Sequence, residues 1–208
     1  MSTSDLVGSD DRRNIELYTR LLAEHGGGAR ALNWGSEESQ TLRFAVIRAV
    51  GITSGSTVLD VGSGLGDFYA WLCGEGVPVA YTGIDVTPSM VDRSRQRFPE
   101  VRFECGKLLE TSLPETFDYV VASGIFYYRQ DEPTAFMRRT VARMFELCRV
   151  ATAFNTLSAW GNAREEGEFY ADPVETLAFC RTLSPWVVLR HDYHPGDFTI
   201  YIYRSVRS

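Results

Sequence analysis

The stretch VLDVGSGLGDF, residues 58–68, decides the fold, because an apolar strand runs into glycines at 62, 64 and 66 and then into a helix. Glycines let the backbone turn sharply and approach a ligand with no Cβ in the way. A dinucleotide-binding loop, G-x-G-x-x-G, would need its third glycine at position 67, which is Asp67. The pattern here is D-x-G-x-G-x-G, and Asp60 places a carboxylate where an ammonium group can be held. We therefore expect an amino-acid moiety at this loop rather than a pyrophosphate.

From residue 51 onward the chain alternates between strand and helix patterns, which is typical of βαβ units and a parallel sheet. The predicted strands are 56–61, 79–85, 101–105, 117–122 and 150–155, and the predicted helices lie near 66–75, 89–98, 133–148 and 173–181. TLSPWVVLRHDY and DFTIYIYR, joined by His194-Pro195-Gly196, predict an antiparallel hairpin at one sheet edge. We expect an α/β fold, a Rossmann-like three-layer sandwich around a mostly parallel seven-stranded sheet with this antiparallel C-terminal hairpin.

Helical patterns precede this alternation. Apolar residues from Asp11 to Leu22 have helical spacing, which stops at three glycines, and a second helix with Ser36 as its N-cap follows. The expected organisation is a disordered tail at 1–10, N-terminal helices at 11–50 and one globular domain at 51–208.

Composition and charge exclude several classes of protein. With 208 residues, 44% of them hydrophobic, the chain is long enough for one domain with a real core. Its 21 Lys+Arg against 27 Asp+Glu disfavour nucleic-acid binding, because phosphate neutralisation needs a clustered basic face. No apolar run approaches the ~20 residues of a membrane span, and the N-terminus lacks the order of a signal peptide. We expect a cytoplasmic monomer or homodimer with no nucleic-acid or membrane partner.

Cysteine and histidine spacing does not predict a metal site. The four cysteines are far apart with no C-x-x-C pair, and we expect them to be reduced core thiols. In RHDYHPGDF the two histidines, His191 and His194, are three apart, so in a strand they point to opposite faces. A turn-capping role for Asp192 and His194 is favoured, and either histidine is also a candidate general base.

Asp85 ends the next strand, in YTGIDVTPSM, where an acidic side chain in this architecture accepts hydrogen bonds from both ribose hydroxyls. The D-x-G-x-G-x-G loop followed by an acid one strand later resembles the class I S-adenosylmethionine-dependent methyltransferases, over roughly residues 55–155. The resemblance implies transfer of a methyl group from S-adenosylmethionine, leaving S-adenosylhomocysteine, to an N, O or C nucleophile of a small molecule, with secondary metabolism as one setting.

The resemblance also implies a set of cofactor contacts. The glycine loop would pack against the methionyl part, Asp60 would lie near its amino group, Asp85 would bind the ribose, and Met90 would lie against the adenine. The implied cofactor-binding residues are Trp34, Asp60, Gly62, Ser63, Gly64, Gly66, Asp85, Val86, Met90, Lys107, Leu108 and Ser123. Related proteins use N-terminal helices as a lid over the cofactor, so residues 11–50 are a candidate lid, with Trp34, Ser36 and Gln40 as candidate contacts.

Two features depart from the family pattern. Many members carry an acid where this chain has Lys107, so the contact to the adenine amino group must come from another group or from backbone. The usual P-G-G turn before strand five is replaced by MFELCRVATAF. Neither departure touches the glycine loop.

Candidate catalytic residues follow strand four. The segment IFYYR faces the substrate side, and Tyr127 and Tyr128 are candidates for a base, together with His191; both tyrosines are alternatively packing residues with hydrated hydroxyls. Asn155 either caps a loop or faces the substrate. SGIFYY replaces the N/D-P-P-Y/F motif of enzymes that methylate amino groups of bases, which disfavours a nucleobase or glutamine acceptor.

The sequence is compatible with three rival functions. The first is an NAD-dependent oxidoreductase on a similar sheet, which Asp67 disfavours. The second is a non-catalytic, cofactor-binding partner subunit. The third is aminopropyl transfer, which would require further acids in the substrate channel.

Overall fold

The computed structural model describes residues 9–113, 115–128, 131–162 and 164–206. The helices are α1 (Ser9–His25), α2 (Glu37–Arg48), α3 (Asp67–Gly74), α4 (Pro88–Arg97), α5 (Pro133–Leu147) and α6 (Pro173–Leu183), and a short 3₁₀ helix spans Ala29–Leu32. The strands are β1 (Thr57–Val61), β2 (Ala80–Asp85), β3 (Arg102–Cys105), β4 (Phe117–Ala122), β5 (Cys148–Leu157), β6 (Val187–Arg190) and β7 (Asp197–Tyr203). Within these ranges no helix combines the length and the apolar character that a membrane crossing requires.

The seven strands form one sheet in the order β3-β2-β1-β4-β5-β7-β6. Strands β1 to β5 pair in parallel, and β7 runs antiparallel to both of its neighbours. The predicted fold class is confirmed, with the added detail that β7 lies inside the hairpin edge, between β5 and β6. Because the strand order reverses between β1 and β4, their carboxyl ends border a crevice, where ligands bind in open α/β sheets.

Successive residues of the central strands point to opposite faces of the sheet and contribute to two apolar core clusters. Leu59 and Val120 belong to one core cluster with residues of α5 and α6, whereas Val58 and Val121 belong to another with residues of α2, α3 and α4. Burial on both faces explains why these strands are almost continuously apolar. The helices on the two faces complete the expected three-layer sandwich.

The N-terminal segment packs onto the carboxyl-end side of the sheet. Ala31 joins Leu65, beside the glycine loop, and Met90 of α4 in a small third cluster. The Ser36 hydroxyl accepts a hydrogen bond from the Ser39 amide at 3.1 Å, which confirms Ser36 as the N-cap of α2. This packing places α1 and the 3₁₀ helix where a lid would lie.

Two placements correct the sequence-based expectations. Helix α1 begins at Ser9, inside the predicted tail 1–10, and the rest of that tail, residues 1–8, lies outside the described residues. All four cysteines are free thiols, but only Cys148 and Cys180 are buried, whereas Cys73 and Cys105 are exposed. Exposure follows from their positions, since Cys73 lies near the end of α3 and Cys105 at the end of β3, next to the sheet edge.

Candidate functional site

The loop after β1 is built on glycines with positive φ. The φ angles are 74° at Gly62, 52° at Gly64 and 74° at Gly66, a region that L side chains rarely adopt. A Cβ on Gly62 would overlap the Ile125 side chain, and a Cβ on Gly64 would lie 2.7 Å from Leu32 Cδ2. The loop is therefore enclosed by the chain that follows β4 and by the N-terminal segment.

Asp85, at the end of β2, is tied to this loop. Its Oδ2 accepts a hydrogen bond from the Gly64 amide at 2.9 Å, and its Oδ1 accepts one from the Thr87 amide at 2.8 Å. Burial raises the pKa of Asp85, and the two backbone donors act against that shift. The Thr87 side chain is a third hydrogen-bond partner, and a carboxylate with about four lone-pair sites can hold these three donors and still accept a hydrogen bond from a ligand.

Asp60 is a buried acid in β1, directly before the loop. Burial raises its pKa to about 7, the hydrogen bond that it accepts from the Tyr81 hydroxyl opposes the shift, and the charge of Asp85 adds to it. An approaching cation favours the ionised form of such an acid, because opposite charges stabilise each other. Asp60 is therefore suited to a cationic ligand group.

A cavity of about 430 Å³, here called the main cavity, opens beside the glycine loop. Its volume suits a small-molecule ligand. Eleven of the predicted cofactor residues line it: Trp34, Asp60, Gly62, Ser63, Gly64, Asp85, Val86, Met90, Lys107, Leu108 and Ser123. Gly66 is the exception, because it forms the left-handed N-cap of α3 with Phe98 and Phe103 beside it. Its expected cofactor contact stays a prediction.

Buried polar atoms without a hydrogen-bond partner collect at this cavity. Among the described residues these atoms include Asn14 Oδ1, Gln40 Nε2, Ser63 Oγ, Asp67 Oδ2 and Thr140 Oγ1, and all five residues line the main cavity. Leaving such a group unsatisfied costs about 1–3 kcal/mol, so a cluster of them indicates a polar ligand. Together with Asp60 they offer both donors and acceptors, which fits the ammonium and carboxylate of a methionyl group.

Lys107 is accompanied by an acid that the sequence pattern did not identify. Its Nζ lies 3.0 Å from Glu110 Oε1, and both residues line the main cavity. Glu110 thus stands three residues beyond the position where related proteins carry their acid. The Glu110 carboxylate can accept a hydrogen bond from the adenine amino group on the side of the main cavity that Lys107 lines.

Both candidate tyrosines line the main cavity. The Tyr127 hydroxyl shares a hydrogen bond with the Tyr18 hydroxyl at 2.9 Å and accepts one from Asn33 Nδ2 at 3.2 Å. Burial raises the pKa of Tyr18 well above its usual value. Tyr127 therefore links the chain after β4 to α1 and to the loop before α2.

The structure does not bring the histidines to the cavity. His191 Nε2 lies 2.8 Å from Ser158 Oγ, and its ring contacts Trp160 and Phe198. His191 lines neither cavity described here, and its role as a base stays a prediction. His194 Nδ1 accepts a hydrogen bond from the Gly196 amide at 3.1 Å, so the turn-capping prediction is confirmed for His194.

The remaining candidates have structural roles. Asp192 pairs with Arg190 rather than capping the turn, with Oδ1 2.8 Å from Arg190 Nε. Asn155 holds the end of β4, because its Oδ1 accepts from the Gly124 amide at 2.8 Å and its Nδ2 donates to Ser123 Oγ at 3.1 Å. It also lines the smaller of the two cavities.

Several lining residues have no local sequence signal. Asn14, Tyr18 and Thr140 reach the cavity from α1 and α5, which are distant from the loop in the chain. Asp67 does have a local signal, because it is the first residue of α3, directly after the glycine loop. Contacts that depend on helix placement could not be found from spacing.

Comparisons with known proteins agree with this geometry. The methyltransferase domain family matches residues 58–147. Putative methyltransferase Rv1506c of Mycobacterium tuberculosis is 32% identical over 166 residues, which cover 76% of this chain and 99% of that protein.

Solved structures share the fold at lower identity. The N-methyltransferase NodS of Bradyrhizobium japonicum, in complex with S-adenosylhomocysteine, superposes with a TM-score of 0.67 at 18% identity, covering 94% of this chain and 98% of that one. Magnesium protoporphyrin IX methyltransferase of Synechocystis, with bound S-adenosylmethionine, gives a TM-score of 0.65 at 15% identity over 96% and 99% of the two chains. At these identities the likeness shows the fold alone.

Proposed function

Because this chain belongs to the class I S-adenosylmethionine-dependent methyltransferase family, we propose that it transfers a methyl group from that cofactor to an N, O or C nucleophile of a small molecule. One observation supports the proposal: the glycine loop, Asp60 and Asp85 meet at one cavity together with buried polar atoms that have no hydrogen-bond partner in the described part of the chain. We further propose that the acceptor is a small molecule and that secondary metabolism is one setting for the reaction.

Specific residues would hold the cofactor. Asp60 and Asp67 supply carboxylate oxygens for its ammonium group, and Ser63 and Gln40 supply donors for its carboxylate. The ribose would bind at Asp85. At the far wall, Met90, Leu108, Lys107 and Glu110 surround the place for an adenine.

The protein's part in the reaction is positioning and exclusion of water. S-adenosylmethionine would supply an electrophilic methyl group on its sulfonium sulfur, and the glycine loop, Asp60 and Asp85 would hold it in the main cavity. Leu32 and Trp34 cover the loops after β1 and β4, which limits access of water. Tyr127 lies at the cavity wall with its hydroxyl held by two partners, so it can orient an acceptor by a hydrogen bond.

Turnover tests the proposal. The protein is incubated with S-adenosylmethionine and a panel of small amines, phenols and alcohols, and S-adenosylhomocysteine and methylated products are measured by mass spectrometry. The control variant is Asp92→Asn, because Asp92 is an exposed acid of α4. The proposal is supported if Asp85→Asn loses methylation activity and Asp92→Asn keeps it. Cofactor binding without turnover on any acceptor would favour the partner-subunit alternative. Reduction of NAD in a parallel assay with NAD in place of S-adenosylmethionine would favour an oxidoreductase.

A further inference from the structure

A second cavity, of about 180 Å³, adjoins the main one and is here called the side cavity. Four residues line both cavities: Leu32, Trp34, Gly124 and Tyr127. A Cβ on Gly124 would lie 2.8 Å from Trp34 Cζ2, so the Trp34 indole packs closely on Gly124 where the two cavities adjoin. A ligand in the side cavity would therefore lie next to the main cavity, with Tyr127 bordering both.

The charges of the side cavity leave a negative excess. Arg43 and Asp197, both buried, form an ion pair across the cavity wall, and Arg43 Nη1 also donates to the Ser39 carbonyl at 2.7 Å. These two charges cancel. Glu168 accepts a hydrogen bond from the Tyr170 hydroxyl, and in the part of the chain that the structure describes no cation pairs with it.

The side cavity also contains an unsatisfied hydroxyl. Thr156, 4% exposed, lies near the end of β5, and its Oγ1 has no hydrogen-bond partner among the described residues. Asn155 beside it cannot serve, because its amide already bonds Gly124 and Ser123. A buried hydroxyl of this kind calls for a polar partner from a ligand.

We propose that the side cavity binds the hydroxyl- or amine-bearing part of the methyl acceptor and selects neutral or cationic acceptors over carboxylates. Glu168 receives the donor or the cation, and the Thr156 hydroxyl completes the hydrogen bonding. An anionic group would face Glu168 without a free counter-charge, since Arg43 is neutralised by Asp197. This inference rests on the proposed function, because it places an acceptor beside the cofactor cavity.

The test is a binding experiment on the full chain saturated with S-adenosylhomocysteine, so that no turnover occurs. Three probes are titrated separately in HEPES buffer: Tris, a cation with hydroxyls; glycerol, a neutral polyol; and succinate, a dicarboxylate. Amide chemical shifts in ¹H–¹⁵N spectra locate each probe. We expect Tris to shift the amides of Gly124, Thr156 and Leu157 saturably, and succinate to leave them unchanged.

Variants assign the selectivity to the cavity. Glu168→Gln should weaken Tris binding by about tenfold, the loss expected for one charge-assisted hydrogen bond. Glu166→Gln, an exposed neighbour that lines neither cavity, should leave it unchanged. Thr156→Val should weaken both Tris and glycerol.

The outcomes separate the two proposals. Preferential binding of succinate, or no saturable shift at the side cavity with any probe while S-adenosylhomocysteine binds the main cavity, overturns the side-cavity proposal alone. Failure of S-adenosylhomocysteine to bind at all overturns the proposed function.

Discussion

Asp60 is a carboxylic acid buried in β1, and among the described residues the Tyr81 hydroxyl is its one hydrogen-bond partner. Its pKa of about 7 means that the ligand-free protein holds it partly protonated near neutral pH. A cofactor ammonium would favour the carboxylate form. Binding and ionisation of Asp60 are therefore linked.

Cofactor affinity should fall as pH drops through the pKa of Asp60. Below about pH 7 a proton must leave Asp60 before the ammonium group can pair with it, so the dissociation constant for S-adenosylhomocysteine should rise as the solution becomes more acidic. Calorimetric titrations between about pH 7.5 and about pH 5.5 measure this, with Asp60→Asn as the comparison. A wild-type profile as flat as that of the variant would contradict the assignment.

The same shift predicts a stability effect of opposite direction. The folded pKa, about 7, lies above the ordinary value of 3.8, so the contribution of Asp60 to stability is present below the ordinary pKa and lost as pH rises through about 7. Without ligand, Asp60→Asn should be more stable than wild type by about 1–3 kcal/mol at about pH 8, and by less at about pH 5. Urea unfolding at both pH values tests it.

Asp85 should contribute to affinity through its carboxylate. It anchors Gly64 and Thr87 and has lone pairs left for ribose hydroxyls, so Asp85→Asn should weaken S-adenosylhomocysteine binding by about 1–3 kcal/mol. Asp92→Asn, at an exposed acid of α4, is the control. Equal affinity in the two variants would remove Asp85 from the site.

At the scale of elements, the glycine loop and the N-terminal segment depend on each other. Gly64→Ala adds a Cβ that meets Leu32, whereas Gly76→Ala, at a similar positive φ of 70°, meets nothing within 4 Å. Both should lose about 1–2 kcal/mol of stability from the left-handed backbone. Only Gly64→Ala should also lose cofactor affinity, which calorimetry and thermal unfolding can separate.

The lid prediction concerns α1 and the 3₁₀ helix. Tyr18 bonds Tyr127, and Leu32 covers the glycine loop, so a ligand in the main cavity would lie beneath this segment. Hydrogen exchange should slow in residues 12–35 on addition of S-adenosylhomocysteine and stay unchanged in β6. Equal effects on both, or no effect on the N-terminal segment, would contradict a lid.

The elements themselves were largely predictable. Glycine and proline boundaries and apolar runs located β1 to β5, β7 and the helices after residue 51 to within two residues at each end, whereas β6 is much shorter than the predicted segment 182–193. The position of β7 between β5 and β6 was not predicted. A hairpin pattern shows that two strands pair with each other, but it does not show which of the two also pairs with the rest of the sheet. The start of α1 was also missed, since a polar first turn resembles a tail.

At the scale of the whole molecule, the sheet explains what sequence could and could not reveal about the site. Asp60 and Asp85 end adjacent parallel strands, so their proximity follows from the βαβ pattern. Tyr18, Thr140 and Glu168 come from α1, α5 and a loop, and only tertiary packing brings them to the cavities. His191, a candidate base from the sequence, bonds Ser158 and lines neither cavity.

Parallel calorimetric titration of the purified protein with S-adenosylmethionine, S-adenosylhomocysteine and NAD tests the central claim most directly. We predict saturable one-site binding of the first two in the micromolar range and no heat of binding from NAD. Binding of NAD alone, or the absence of binding by both sulfur compounds, would contradict the assignment of the main cavity.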